Sequence, residues 1–443
     1  MFGNQSLINY QYNYQRSVSQ TLPQNHPNLL GNSTTYTAST NNSSQNIPQN
    51  ITFFLRFSDG QSFQITANRL NSFESVLNKF MKEKFKESFN FSIKCALCNT
   101  KKIDFKKSLK DNNITQNSHV LCLLDIKDNL DSNLNNSNKD GIGFKYYGFV
   151  SKEGKNQQGV HTINQDLTLV YLNVGTIKGF NLFGVLDGNG PKGDRISEFC
   201  REYFFTKMNE YAYQCKQENI DDPDTIYNKL KSTNFQFIKD CFTNADIEMT
   251  KYSLDYNLSG TTCNLVIQLK LHLICANVGD SRSIIIYDND TKTNQGIAVF
   301  SNDHLPNSPN EMARIINSGG IVDQCQNNFG QKVGRYRIFK PGQNSPGLAI
   351  SRSLGAFMFK QCGVINQPEI KEFKVNHNTK YLLICSDGIW RYLKNEEVRN
   401  LGNKYYPQKD VKSFCKNLVQ KAMQAWQFNN TYRDDIAVVC IFF

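Results

Sequence analysis

At 443 residues the chain is long enough for two or three domains and a sizeable core. Its formal net charge of +11 is carried by Lys and Arg scattered along the sequence, not gathered with aromatics on one stripe, which argues against a nucleic-acid partner. The 13 cysteines form no His-bracketed CxxC pairs and no secreted-type spacing, and no apolar run approaches a membrane span. The expected setting is therefore reducing and cytoplasmic, without a membrane partner and with the nucleus or a large assembly as further locations.

Residues 1–50 contain no acidic residue and one Arg, amid Asn, Gln, Ser, Thr and Tyr. Such a segment cannot bury enough apolar area to offset its ordering entropy, so a disordered polar tail is expected. Residues 51–125 read differently. ITFFLRFSDGQSFQITAN alternates on both sides of Asp59-Gly60, a hairpin signal. SFESVLNKFMKEKF then places Val76, Leu77, Phe80 and Phe85 near helical spacing, with Ser72 and Glu74 at its start. SIKCALCN and HVLCLLD follow as strands. This order resembles the ubiquitin-like β-grasp fold. It ends without a Gly-Gly tail and runs into DNLDSNLNNSNKD, so 126–141 is expected to be a linker, and the module to dock on a receptor without being conjugated.

From about residue 142 to 443, strand-like runs alternate with helical patterns. RISEFCREYFFTKMNEYAYQC carries an apolar stripe at Ile196, Phe199, Cys200, Tyr203 and Phe204. The stretch from Thr225 to about Ser253 keeps similar spacing through Ile226, Leu230, Ile238, Cys241, Phe242 and Ala245. In SPNEMARIINSGG, Ser308 is the expected N-cap, Pro309 the first helical residue, Glu311 the partner in a capping box, and Gly319 or Gly320 the stop. VKSFCKNLVQKAMQAWQF is the last predicted helix.

Three aspartates in this region flank apolar strand-like runs: Asp187 in FNLFGVLDGNG, Asp387 in YLLICSDGIW and Asp434 in YRDDIAVVCIFF. A fold that gathers strand ends would cluster these carboxylates, which repel unless a hard divalent cation lies between them. An all-oxygen ligand set favours Mg or Mn over Zn. Taken singly, Asp-Gly is a common strand-terminating turn, and the weight comes from finding several together. Ser259 in SGTT lacks the surroundings of a nucleophile elbow, His304 in SNDHLP reads as a structural loop histidine, and GNGPKG lacks the order of a nucleotide-binding loop.

The motifs occur in the order of a known family. NQD at 164–166, FGVLDGNGPKG at 183–193, SGTT at 259–262 and ANVGDSR at 276–282 come first. SNDHLP with RIINSGG, LAISRSLG at 348–355 with GVINQPEI, SDGIW at 386–390 and RDDIAVV complete the set. Over residues 142–443 the chain resembles the metal-dependent Ser/Thr protein phosphatases of the 2C type. The resemblance implies an α+β fold: a four-layer αββα sandwich of two antiparallel sheets flanked by helices. It also implies two Mg or Mn ions, bridged by Asp187, with Gly188 giving a carbonyl and Asp387 and Asp434 on the first ion. Two such ions about 4 Å apart activate a water for in-line attack on phosphorus. Asp166 would orient water at the metals, with Gln165 beside it where Glu is common. Asp280 falls where the family has an extra, weakly held ion; a turn residue paired with Arg282 is an equal reading of the same sequence.

Four positions depart from the family pattern. Asn189 replaces the His proposed as general acid for the leaving alcohol, a loss of about 10²–10⁴-fold in the affected step. No Arg precedes NQD to hold phosphate, the nearest candidates being His161 and Lys155. Ala356 follows SRSLG where Asp is usual, and Arg391 follows SDGIW where Asp is usual, disfavouring a third ion and offering a cation to substrate phosphate. The expectation is a slow protein serine/threonine phosphatase acting on phosphorylated proteins, with Asp166, Asp187 and Asn189 in the catalytic positions. Its rivals are a pseudophosphatase scaffold that grips phosphoproteins without turnover, and a chain that works mainly by docking its ubiquitin-like module.

Overall fold

The computed structural model describes residues 50–57, 62–85, 91–98, 101–114, 119–126, 146–251, 256–288, 296–327, 329–429 and 432–443. The expected tail before Asn50, the Asp59-Gly60 turn and the expected linker after Ile126 lie outside the described residues.

The first sheet is built from β1 (Asn50–Phe57), β2 (Ser62–Asn68), β3 (Phe91–Cys98), β4 (Lys101–Lys102) and β5 (His119–Ile126), with α1 (Phe73–Phe85) between β2 and β3. Its order is β2-β1-β5-β3-β4, with β1 and β5 parallel and the other pairs antiparallel. Alternation along β1 sends Phe53 and Leu55 inward against Phe73, Val76 and Leu77 of α1. Ser72 caps α1 as expected, its Oγ accepting from Ser75 N at 3.2 Å.

The second region opens with β6 (Tyr146–Lys152), β7 (Asp166–Tyr171) and β8 (Phe180–Asn189), then α2 (Gly193–Gln217), α3 (Pro223–Ser232) and α4 (Gln236–Met249). It continues through β9 (Gly260–Thr261), β10 (Cys263–Leu269), β11 (His272–Val278), β12 (Arg282–Tyr287), β13 (Ile297–Val299) and α5 (Pro309–Asn317). Next come β14 (Ile321–Gln326), β15 (Lys332–Phe339), β16 (Leu354–Gly355), β17 (Glu369–Lys374), β18 (Thr379–Cys385), α6 (Asn395–Tyr405), α7 (Val411–Asn429) and β19 (Ile436–Phe442).

Two antiparallel sheets result. One has the order β16-β9-β8-β10-β11-β17 with β7 also on β8; the other is β13-β12-β18-β19-β6. Between them packs an apolar layer of Phe183, Val185, Val266 and Cys275 against Ile285, Leu382, Ile384, Val439 and Ile441. The alternate residues of the same strands face outward into helices. Leu182, Leu186, Leu265 and Ile267 meet α2 and α4, while Leu383, Cys385, Val438 and Cys440 meet α7. The central strands β10, β11, β18 and β19 are covered on both faces, so their sequences read as near-continuous apolar runs, not as alternation. Helix, sheet, sheet, helix is the four-layer order expected.

Three local expectations are corrected. The stretch after Thr225 is two helices, because Asn234 and Phe235 at φ 51 and 57 adopt the left-handed conformation and end the first. Ser308 and Pro309 start α5 as expected, but no capping box forms. Ser308 makes no side-chain cap, and Glu311 turns instead to Arg314, Ser351 and Arg352. Asp187 does not follow its strand: β8 continues through Gly188 to Asn189 because β9 pairs with both.

Candidate metal centre

The antiparallel registers bring the carboxylates together. β7 and β8 place Asp166 directly opposite Asp187, a like-charge pair that a sheet tolerates poorly without compensation. β8 and β11 run the same way on either side of β10, so Asp280, just past the end of β11, comes to the same edge as Asp187. In the second sheet Asp387 follows β18 and Asp434 precedes its antiparallel partner β19. One end of the sandwich thus collects five acidic side chains from five strand ends.

Carboxylate oxygens of Asp187, Asp280 and Asp387 lie within 4.8 Å of one another. They line a cleft of about 700 Å³, whose wall also carries Gly188, Asn189, Asp434 and Arg391. Hydrogen bonds brace Asp187 and the turn that carries Asp387. Thr262 Oγ1 accepts from Asp187 N at 3.0 Å while Thr262 N donates back to Asp187 O at 2.9 Å. Gly388 O, in the helical turn Asp387–Trp390, accepts from the indole of Trp426 at 2.8 Å.

Crowding shows in the acidities. Burial, then the charges of Asp166, Asp387, Asp434 and Asp280, push the Asp187 carboxyl well above the usual range. Asp166 is raised in the same direction by burial and by Asp435, and its Oδ2 is buried without a hydrogen-bond partner. Asp280 rises to about 6, burial outweighing the opposing pull of Arg335. Asp434 is exposed as a residue, yet the protein around its carboxyl withdraws enough solvent, with Asp387 adding repulsion, to lift it to about 7. Several oxygen donors in a cleft that resists their ionisation, with the orphaned oxygen of Asp166 on the strand position opposite Asp187, fit a divalent cation of the Mg or Mn kind.

The other sequence-predicted residues divide. Gln165 donates its Nε2 to the carbonyl of Gly190, a cleft-lining residue, at 3.0 Å, and a Cβ added at Gly193 would run into its Oε1. Its Nε2 is thereby committed to the turn that follows Asn189, and any part it plays toward a metal-bound water falls to Oε1. His161 pairs with Glu153 at 2.9 Å on the surface and does not line the cleft, which corrects its assignment to substrate phosphate; Lys155, the other nearby cation, does not line it either. Arg282 does not pair with Asp280: its guanidinium binds Asp303 at 2.6 Å and lies over Trp390. Ala356 is buried in a side cluster and does not line the cleft, so this departure removes no cleft residue. Ser259 is fully buried, its Oγ accepting from Lys192 N, and His304 accepts from Gly279 N, as loop-bracing residues do.

The model for protein phosphatase 2C matches residues 178–431, more than half of the chain. The chain belongs to the protein phosphatase 2C family. By that membership it is a protein serine/threonine phosphatase, a hydrolase acting on phosphoserine and phosphothreonine. Among its relatives, "Probable protein phosphatase 2C 34" of Arabidopsis thaliana is 28% identical over 67% of this chain and 83% of its own length. "Probable protein phosphatase 2C 72" of the same plant is 31% identical, over 64% of this chain and 83% of its own. The serine-threonine phosphatase 2C crystal structure from Toxoplasma gondii shares the fold at a TM-score of 0.56 and 21% identity, covering 67% of this chain and 94% of that one.

This phosphatase 2C site also contains residues that the sequence pattern does not single out. Asp435 accepts from Gly154 N and Gln165 N at 2.6 and 2.7 Å, tying the loop before β7 to the start of β19. Period-2 alternation was the available signal, since Asp434 and Asp435 must point to opposite sides. Arg335 and Arg337 of the β14–β15 hairpin reach the cleft, and their i, i+2 spacing on a strand is the corresponding clue.

Proposed function

We propose that the chain is a Mg- or Mn-dependent phosphatase of phosphoserine and phosphothreonine proteins, with the ions held by Asp187, Asp387 and Asp434 and the Gly188 carbonyl. The observation that carries this is the gathering of Asp187, Gly188, Asp387 and Asp434 on the wall of one cleft, beside the partnerless oxygen of Asp166. Bound divalent cations supply charge neutralisation and a water acidified to near-neutral pKa. The chain's own residues do the rest. Asp166, fixed opposite Asp187, holds the orientation of whatever Asp187 binds. Arg391 on the cleft wall offers a cation to substrate phosphate. Asn189 can donate a hydrogen bond to the leaving oxygen but has no titratable proton to give it, so turnover of unactivated phosphoesters is slow.

Residues 51–125 are read as a ubiquitin-like module, supported by the β2-β1-β5-β3-β4 order, the parallel central pair and the single helix. It recruits the phosphatase region, 142–443, to its phosphoprotein partners through a receptor. The cytoplasm is the proposed location, in keeping with the ten cysteines whose side chains are described, from Cys200 to Cys440, all of them free. Deleting residues 1–140 is expected to change localisation and partner binding; unchanged partners and location would discard the targeting role.

Asn189 also favours a second reading, a scaffold that binds phosphoproteins without turnover. Phosphate release from a phosphothreonine peptide, measured beside peptide binding across a Mn titration, separates the two. Release that rises with Mn supports the enzyme, and peptide binding without release supports the scaffold.

A further inference from the structure

Arg335 lies on β15, a strand whose neighbouring positions Lys332, Val333, Gly334 and Tyr336 are exposed. Its own side chain is only 25% exposed because it turns into the cleft. There its two terminal nitrogens divide between two carboxylates: Nη2 donates to Asp280 Oδ2 at 2.5 Å and Nη1 to Asp387 Oδ2 at 2.6 Å. These are two of the three carboxylates that could share a cation. Asp280 is 3% exposed, so the guanidinium closes its access to solvent. A planar fork satisfying two carboxylates at once is the arrangement in which Arg binds them most firmly, and it cannot lose its charge.

Resting on the metal-dependent reading above, we propose that Arg335 is a built-in cation that keeps Asp280 out of metal binding. A divalent ion placed between Asp280 and Asp387 would have to displace the guanidinium or face it across a few ångströms, at twice the repulsion of two unit charges. The fork takes only Oδ2 of Asp387, so an ion held by Asp187, Asp434 and the other oxygen of Asp387 lies away from Asp280 and meets that conflict less directly. Arg391, also on the cleft wall, adds a second positive charge near the same place. The hairpin β14–β15 that carries Arg335 forms a two-stranded sheet of its own. Two strands alone are marginally stable in water, so the fork to Asp280 and Asp387 also helps to seat the hairpin over the cleft.

The test counts Mn ions by titration calorimetry and by electron paramagnetic resonance of free against bound Mn. The comparison is between full-length wild type, Arg335→Gln, Asp280→Asn and the double variant, with thermal unfolding as the check of folding. Arg335→Gln is expected to bind one more Mn per chain than wild type, and the double variant to lose that additional ion. Asp280→Asn alone is expected to leave the wild-type count unchanged, and this arm decides even if Arg335→Gln does not fold. An ion lost on Asp280→Asn, or equal counts and affinities in wild type and Arg335→Gln, overturns the proposal. A wild type that binds no Mn at all would instead overturn the metal-dependent reading beneath it.

Discussion

Gly388 stands where the two sides of the centre meet, and Gly388→Ala is the sharpest perturbation of its geometry. A Cβ at this position would lie 2.1 Å from Asp435 O, 2.9 Å from Ile436 Cγ1 and 3.1 Å from Asp435 C. The nearest contact is more than an ångström short of ordinary van der Waals distance, and it is with backbone, which cannot rotate away. Either the turn that carries Asp387 or the strand start that carries Asp434 must shift by about 1 Å. Overpacking of this kind costs about 1–3 kcal/mol. For a domain of this size that is a loss of about 2–12 °C in Tm. A displacement near 1 Å at a reacting centre costs on the order of 10²-fold in rate. The expected outcome is therefore a modest fall in Tm with a drop of about 100-fold in turnover and a clear loss of Mn affinity, read by thermal unfolding, peptide dephosphorylation and calorimetry. Gly319→Ala is the control: its φ of 81° is strained for Ala, but nothing lies within 4 Å of the added methyl. It should lose about 1–2 kcal/mol and leave Mn affinity alone. If Gly388→Ala destabilised the protein with Mn affinity intact, Asp387 and Asp434 would not be serving one ion cluster.

Two further outcomes follow from single residues. Asn189→His should raise turnover of a phosphothreonine peptide by about 10²–10⁴-fold while changing an aryl phosphate far less, because a phenolate leaves without a proton donor; equal gains on both substrates would rule out the general-acid explanation. Glu311→Gln leaves the buried forks of Arg314 and Arg352 without their carboxylate and should cost about 3–5 kcal/mol, read as a fall in Tm. Burial alone would raise the Glu311 carboxyl, but Arg314, Arg352 and Ser351 more than offset it and hold it well below its ordinary 4.5. The folded pKa being depressed, this stabilisation is full above about pH 4.5 and is lost as pH falls further; wild type and variant should therefore converge in stability in acid.

Much of this was legible before the fold. Asp187, Asp387 and Asp434 sit beside apolar runs, and strand ends are where sheets gather polar groups, so the cleft could be anticipated from them. Asp280 and Asn189 were legible in the same way, through the short motifs around them. Long-range partners were not. Arg335 is 55 residues from Asp280 and 52 from Asp387, and only the path of the hairpin decides that it turns inward. Glu311 matched the pattern of a capping box, but Arg314 one turn along the same helix and the distant Arg352 took its carboxylate instead. His161 was chosen for nearness in sequence to the NQD motif, and Gln165 because it stands where the family commonly has Glu. In the fold Glu153 pairs with His161, and the Gly190 carbonyl, 25 residues on, takes the Nε2 of Gln165.

The most direct measurement is the Mn and Mg dependence of phosphothreonine-peptide hydrolysis by purified wild type and by the Asp187→Ala/Asp387→Ala double variant. Hydrolysis that saturates with metal in wild type and falls to the buffer rate in the variant is the predicted result. Metal-dependent hydrolysis that survives in the variant would place the chemistry elsewhere and contradict the assignment of this centre.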